Sequence, residues 1–134
     1  MEYVVTVENR VHEKWAEAGG TASKISKKIL TNSVYADIVS EAWEAGNAAA
    51  QEYHDKYGDM GSCGFAWVTI PDGRSSFARY AKKELGASKH WHKGVYFWMN
   101  FPTQTETTKY RQAQAFAKVL QEAGVDCHVG SRAD

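Results

Sequence analysis

The chain has 134 residues, 43% of them hydrophobic and 24% charged, which suffices for one domain with a proper core and excludes a disordered or fibrous protein. Sixteen Lys and Arg balance sixteen Asp and Glu, so no global field favours nucleic acid or a membrane surface. No apolar run approaches a membrane span, and the start MEYVVTVENR carries early acids and no long apolar stretch, so neither an anchor nor a secretory leader is expected.

Charge is nevertheless segregated along the chain. Residues 31–60 hold one basic against six acidic side chains, and residues 61–104 hold six against two. Opposite blocks predict surfaces that face each other within the fold or a head-to-tail contact between copies. The two cysteines, Cys63 and Cys127, form no CxxC and read as reduced thiols of a cytoplasmic protein.

Taken in order, residues 2–7 (EYVVTV) are β-branched and predict a short strand. From Asn9 the spacing of Val11, Trp15 and Ala18 is helical, with Gly19 and Gly20 as a stop. Ile25, Ile29 and Leu30 would line a short basic helix. Asn32 or Ser33 then caps a longer one with two apolar stripes: Val34, Ile38, Ala42, Ala45 and Ala49, beside Tyr35, Val39, Trp43, Ala50 and Tyr53. Gly46-Asn47 is a candidate kink and Gly58 a stop.

After Gly61 the signals sharpen. CGFAWVTI (63–70) is a strand ending at a Pro71-Asp72-Gly73 turn. Ser75 caps the next helix, whose inner stripe is Phe77, Ala78, Ala81 and Leu85, and Gly86 ends it. In KHWHKGVYFWMNF (89–101), Lys93-Gly94 divides two alternating pieces as a hairpin turn. Thr103 and Glu106 form a capping box ahead of a helix with Tyr110, Ala113, Phe116, Ala117 and Leu120 inside. Gly124 ends that helix, and VDCHV (125–129) is the last strand.

The order β-α-β-β-α-β predicts an α+β, ferredoxin-like unit over residues 61–134. Its central strands would be 63–70 and 95–101, and both its helices would lie on one face. Residues 1–60 form an N-terminal strand and helical extension packed on that unit, giving one compact domain. A plain alternating α/β sheet, with 88–92 as loop, is the rival.

Strand parity then separates two side-chain sets, because successive residues point to opposite faces. Ala66, Val68 and Ile70, with Val95, Phe97, Met99 and Phe101, suit the helix-covered core. Phe65, Trp67, Tyr96, Trp98 and Asn100 are left on the far face. Four aromatics there, each worth roughly 150–250 Å² when covered, make a surface that needs an occupant. Three are open: the chain's own helix at 33–57, a second subunit packed sheet to sheet, or a ligand or single-stranded nucleic acid. For the last, Arg74, Arg79, Lys82, Lys83, Lys89 and Lys93 would supply phosphate contacts. The RNA-recognition signature K/R-G-F/Y-G/A-F-V-x-F/Y is matched only at Lys93, Gly94 and Phe97, and fails at Val95, Tyr96, Trp98 and Asn100.

Chemical leads are few. His90 and His92 would point to one side of a strand as a metal pair, needing His128, Cys127 or His54 as a third ligand; an exposed polar edge strand explains them as well. Cys127 alternates with Val125 and Val129 and so belongs in the core, where a thiol is inert. The Arg74-Ser75-Ser76 segment could hold an anion at a helix start or simply cap it. The sequence contains no G-x-G-x-x-G, P-loop, H-E-x-x-H or G-x-S-x-G. No catalytic residue or cofactor is therefore expected.

The runs CGFAWVTI, RSSFARYAKKELG and KGVYFWMNF, with the ending VGSRAD, resemble short hypothetical proteins of tailed bacteriophages over residues 61–134. That resemblance implies a protein acting in a bacterial host's cytoplasm and assigns no site residue. The combined expectation is a non-enzymatic binding or interaction protein, a homodimer. The alternatives are a single-stranded nucleic-acid or nucleotide binder using the aromatic face and the basic helix, and a small metal-dependent enzyme built on His90 and His92.

Overall fold

The computed structural model describes residues 6–17, 24–90 and 92–134. Helix α1 spans Val7–Glu17 and α2 spans Lys24–Tyr57; then follow β1 (Gly64–Ile70), α3 (Ser76–Glu84), β2 (Ser88–Lys89), β3 (Val95–Trp98), α4 (Glu106–Glu122) and β4 (His128–Ala133). The protein is α+β. Among the described residues four strands form an antiparallel sheet in the order β2-β3-β1-β4, which places β1 and β3 side by side in the middle.

The register of the central pair is Trp67 opposite Trp98, Val68 opposite Phe97, Thr69 opposite Tyr96 and Ile70 opposite Val95. Parity therefore sorts the strands as the alternation predicts. Ala66, Val68, Ile70, Val95 and Phe97 face inward and join α2, α3 and α4 in one core. Phe97, Phe116, Ile38 and Leu120 are among its largest fully buried side chains, each worth about 1.5–3 kcal/mol of transfer free energy.

The expected turn chemistry holds where a glycine or a hydroxyl is needed. Ser75 Oγ accepts from Ala78 N at 3.1 Å and so caps α3. Gly86, Gly94 and Gly124 all have positive φ, where other residues are strained. Gly94 has a second constraint: a Cβ there would overlap the carbonyl oxygens of Ile70 and Pro71. Gly73 packs against its Cα, so the two turns meet backbone to backbone.

The N-terminal third departs from the sequence reading. Residues 2–5 of the expected strand and the glycines 19–20 lie outside the described residues, and Val7 already begins α1. Residues 21–23 lie outside the described residues; from Lys24 on, α2 runs unbroken, so the expected break between a short basic helix and a longer one capped at Asn32 or Ser33 is not made. Gly46 does not end or interrupt it. A Cβ at Gly46 would come within 3.0 Å of both Cγ and the backbone oxygen of Gln112, so the glycine lets α2 and α4 approach closely.

The docking of α2 overturns one of the three occupants. Its core residues Val34, Ile38, Val39 and Ala42 pack on the same side of the sheet as α3 and α4. Trp43 meets Phe116 and Phe97 edge-on, at 4.7 and 6.2 Å between centroids. Phe116 of α4 and Phe97 of the sheet offer α2 open apolar surface, whereas the rings of the far face are already packed on one another. Among the described residues the ion pairs of α2's acidic side chains go to α1 rather than to the basic residues of 61–104: Arg10 pairs with Glu41 at 2.8 Å and Lys14 with Asp37 at 3.1 Å.

Two boundaries and one buried stripe also differ. The capping box is not made, since α4 starts after Thr105 without a side-chain cap; Thr103 Oγ1 instead donates to Asp59 Oδ1 at 2.6 Å and accepts from Thr105 N at 3.2 Å. Tyr110 is exposed, and Thr108 and Gln112 take buried places on α4. The last strand is 128–133 rather than 125–129.

Candidate functional site

The side of the sheet away from α2, α3 and α4 carries the aromatic set. Trp67 and Trp98 lie 5.4 Å apart at 66°, Tyr96 and Trp98 5.2 Å apart at 84°, and Phe65 and Trp98 5.9 Å apart at 79°. Each pair is edge-to-face, the geometry that aromatic quadrupoles favour. Trp98 is the hub of the cluster and stays 45% exposed, with Phe65 at 36%.

The floor is built by β4. Its register sets Gly130 opposite Trp67 and Arg132 opposite Phe65, and paired residues share a face. A Cβ at Gly130 would overlap the Trp67 indole, so the ring rests directly on β4 backbone. At one corner, Lys109 Nζ donates to Gly64 O at 3.1 Å and sits 5.1 Å from the Phe65 ring centre.

The other wall is His90, 5.4 Å from the Tyr96 ring and perpendicular to it. Its Nδ1 accepts from the backbone N–H of His92 at 3.0 Å and of Lys93 at 3.3 Å, which shapes the turn. Trp67, His90, Tyr96, Trp98 and Arg132 together line a hollow of about 240 Å³. Among the described residues whose register places them on this face (Phe65, Trp67, Thr69, Ser88, Tyr96, Trp98, His128, Gly130 and Arg132) none is a carboxylate; Asp134, whose N–H bonds Cys63 O at 2.9 Å, continues the ladder on the same side beyond Arg132.

Several expected site residues lie elsewhere. Asn100 follows the end of β3, and its Oδ1 accepts from Gln112 Nε2 at 3.0 Å, so it serves the α4 side rather than the aromatic face. Arg79, Lys82 and Lys83 lie on the solvent side of α3, whose opposite side (Phe77, Ala78 and Ala81) is buried in the core; with Arg74 ahead of it, that helix lies behind the sheet. They cannot reach a ligand on the rings. Lys89 pairs with Val95, whose side chain points into the core, so it too belongs to the helix side. Lys93 is in the exposed turn.

The histidine pair does not form as a strand feature, because β2 ends at Lys89 and His92 lies in the turn. Among the described residues, no three His, Cys, Asp or Glu side chains come together as a metal site. Cys127 is buried, with its thiol pushed up to about 12 by burial and, secondarily, by the nearby Asp126 charge. A thiol held protonated is no nucleophile at neutral pH. Cys63 is exposed beside Gln104.

Arg132 and Gly130 escaped the sequence reading because the last strand was placed three residues too early. The signal was present in VGSRAD: a glycine flanked by alternating residues, ending in a charge that suits an edge. No described helix is long and apolar enough to cross a membrane. The chain matches no protein-family model, and no curated protein or solved structure is significantly similar to it.

Proposed function

We propose that the chain is a ferredoxin-like, non-enzymatic binding protein whose working surface is the open aromatic side of its sheet. The strand order β2-β3-β1-β4, with β1 and β3 central, supports the fold reading. One observation carries the functional reading: Trp67, Tyr96 and Trp98 are held at fixed mutual angles on the side away from α2, α3 and α4, and the helix that could have covered them is packed behind. Aromatic walls with a few convergent polar groups are the usual make-up of a binding hollow.

A second copy of the chain is the competing occupant, and area argues against it. The four rings already cover one another, with Trp98 45% and Phe65 36% exposed and Trp67 and Tyr96 half-buried, so of the roughly 150–250 Å² that each ring can bury at most about 400 Å² in all is left. A stable interface needs about 800 Å² per partner. A compact ligand or a narrow strand fits the available surface better.

The test is an NMR titration with a panel of flat aromatic fragments, read at the indole N–H resonances. Trp67 and Trp98 are expected to shift while Trp43, in the core, stays still. If no fragment moves either indole up to millimolar concentration, the surface is not a binding site. Light scattering that shows a dimer broken by Trp98→Ala would transfer the face to the second copy.

A further inference from the structure

The face has a chemical bias beyond its rings. Its formal cation is Arg132, which lies opposite Phe65 and lines the hollow, and Lys109 reaches the same Phe65 ring from α4. His128 and His90 lie on or beside the face, and its one carboxylate by register among the described residues is Asp134, beyond Arg132 at the end of the ladder, where its N–H bonds Cys63 O at 2.9 Å. The cations lie along the β1–β4 side and the most exposed ring, Trp98, lies on β3, so charge and aromatic surface stand next to each other on neighbouring strands.

Resting on the binding role argued above, we propose that the occupant is an unpaired nucleic-acid strand, with a base stacked on Trp98 and the adjoining phosphate held by Arg132. A base offers a π face to an exposed indole whatever its identity. A planar guanidinium grips phosphate oxygens in a forked pair of hydrogen bonds. The strand form follows from the spread of exposed ring: Trp98 on β3 and Phe65 on β1 are both exposed on one face with Arg132 on β4 beside them, so a narrow chain crossing the strands meets rings and cation in turn. A duplex keeps its base faces covered and gains nothing from Trp98. This assignment also moves the phosphate contact away from the basic residues of α3, which lie on the wrong side of the sheet.

The experiment is fluorescence anisotropy of end-labelled octathymidylate and octauridylate with the full chain, from about 50 mM to about 200 mM salt. Trp98→Leu is expected to weaken binding about 10-fold to 100-fold, with Trp98→Phe restoring most of it. Arg132→Gln is expected to flatten the log–log salt slope by about 0.7, one phosphate's share for a single strand. Lys82→Gln with Lys83→Gln on α3 serves as the control and should leave the slope unchanged. Arg132 is exposed, so Arg132→Gln should melt with the wild type; Trp98→Leu gives up three ring pairs and should melt lower, so its binding is read at a temperature where circular dichroism shows it folded. The proposal is overturned by no binding at the lowest salt, by duplex binding as tightly as the strand, by an unchanged affinity in Trp98→Leu, or by an α3 effect as large as that of Arg132→Gln. A nucleoside monophosphate that binds as tightly as the octamer overturns the strand form alone. Fragment shifts at Trp67 and Trp98 without any oligonucleotide binding overturn the nucleotide chemistry and leave the binding face standing. A better binding of octauridylate than octathymidylate supports the proposal and assigns RNA.

Discussion

Gln112 is the most informative place to perturb the fold. It is fully buried on α4 and joins three parts of the chain. Its Oε1 accepts from Phe101 N at 3.0 Å, and its Nε2 donates to Asn47 Oδ1 on α2 at 2.9 Å and to Asn100 Oδ1 at 3.0 Å. The three bonds are unequal. Phe101 N–H is buried and has no alternative, so losing its acceptor costs about 1–3 kcal/mol. The two asparagines are exposed and can turn to water, so each of those bonds is worth about 0.5–1 kcal/mol. Gln112→Ala adds a small cavity and should destabilise by about 2–4 kcal/mol in total. Gln112→Met keeps the volume but strands the amide, and should cost about 1–3 kcal/mol. Asn47→Ala and Asn100→Ala should each stay below about 1 kcal/mol. Urea midpoints at constant m report all four. If Gln112→Met unfolds within about 0.5 kcal/mol of wild type, the buried amide is satisfied by something else and the account of this junction is wrong.

Other expectations are quick to check. Gly94→Ala should destabilise by more than about 2 kcal/mol, since left-handed strain of about 1–2 kcal/mol adds to a backbone overlap, and a normal melting curve would refute the turn geometry. Cys127 binds its proton more tightly folded than unfolded, so its share of stability is complete below pH 9.0 and is lost as pH rises towards about 12. The stability of Cys127→Ala should therefore fall less over that window than wild type, and parallel curves would contradict it. At pH 8 an Ellman reagent should titrate one thiol per folded chain, and none in Cys63→Ser. Lys14→Ala should cost under about 1 kcal/mol and less in high salt, because both ends of its pair with Asp37 are partly exposed.

The parts of the molecule that were legible beforehand are those where one local rule decides. Alternation along 64–70 and 95–98 fixed which rings share a face, because parity leaves only two choices. Ser75, Gly86 and Gly124 each answer a backbone need that few residues meet. The failures come where two options differ only through distant packing. Asn32 and Ser33 are good caps, yet α2 passes through them because the preceding turn is helical too. Two apolar stripes on α2 said that it docks, but not on which side of the sheet; the Phe116 and Phe97 surface that Trp43 meets decided that. Asn100 follows Trp98 by two residues and should share its face, but the strand ends at Trp98 and a buried glutamine captures the side chain. The basic residues of α3 were correctly read as outward and wrongly joined to the rings, since outward from a helix layer is away from the bare face of the sheet.

The contact between Trp67 and Gly130 has a bearing on how β4 finds its place. Sliding that edge strand by one residue would set Val129 or Ser131 across from the indole, and either β-carbon would collide with it. A two-residue slide restores parity but brings His128 or Arg132 into the same spot. The missing side chain thus works as a notch that admits one alignment, and it specifies pairing for a terminal strand whose side chains are mostly exposed. Alanine at this position should accordingly broaden the amide signals of the whole strand rather than those of its neighbours alone.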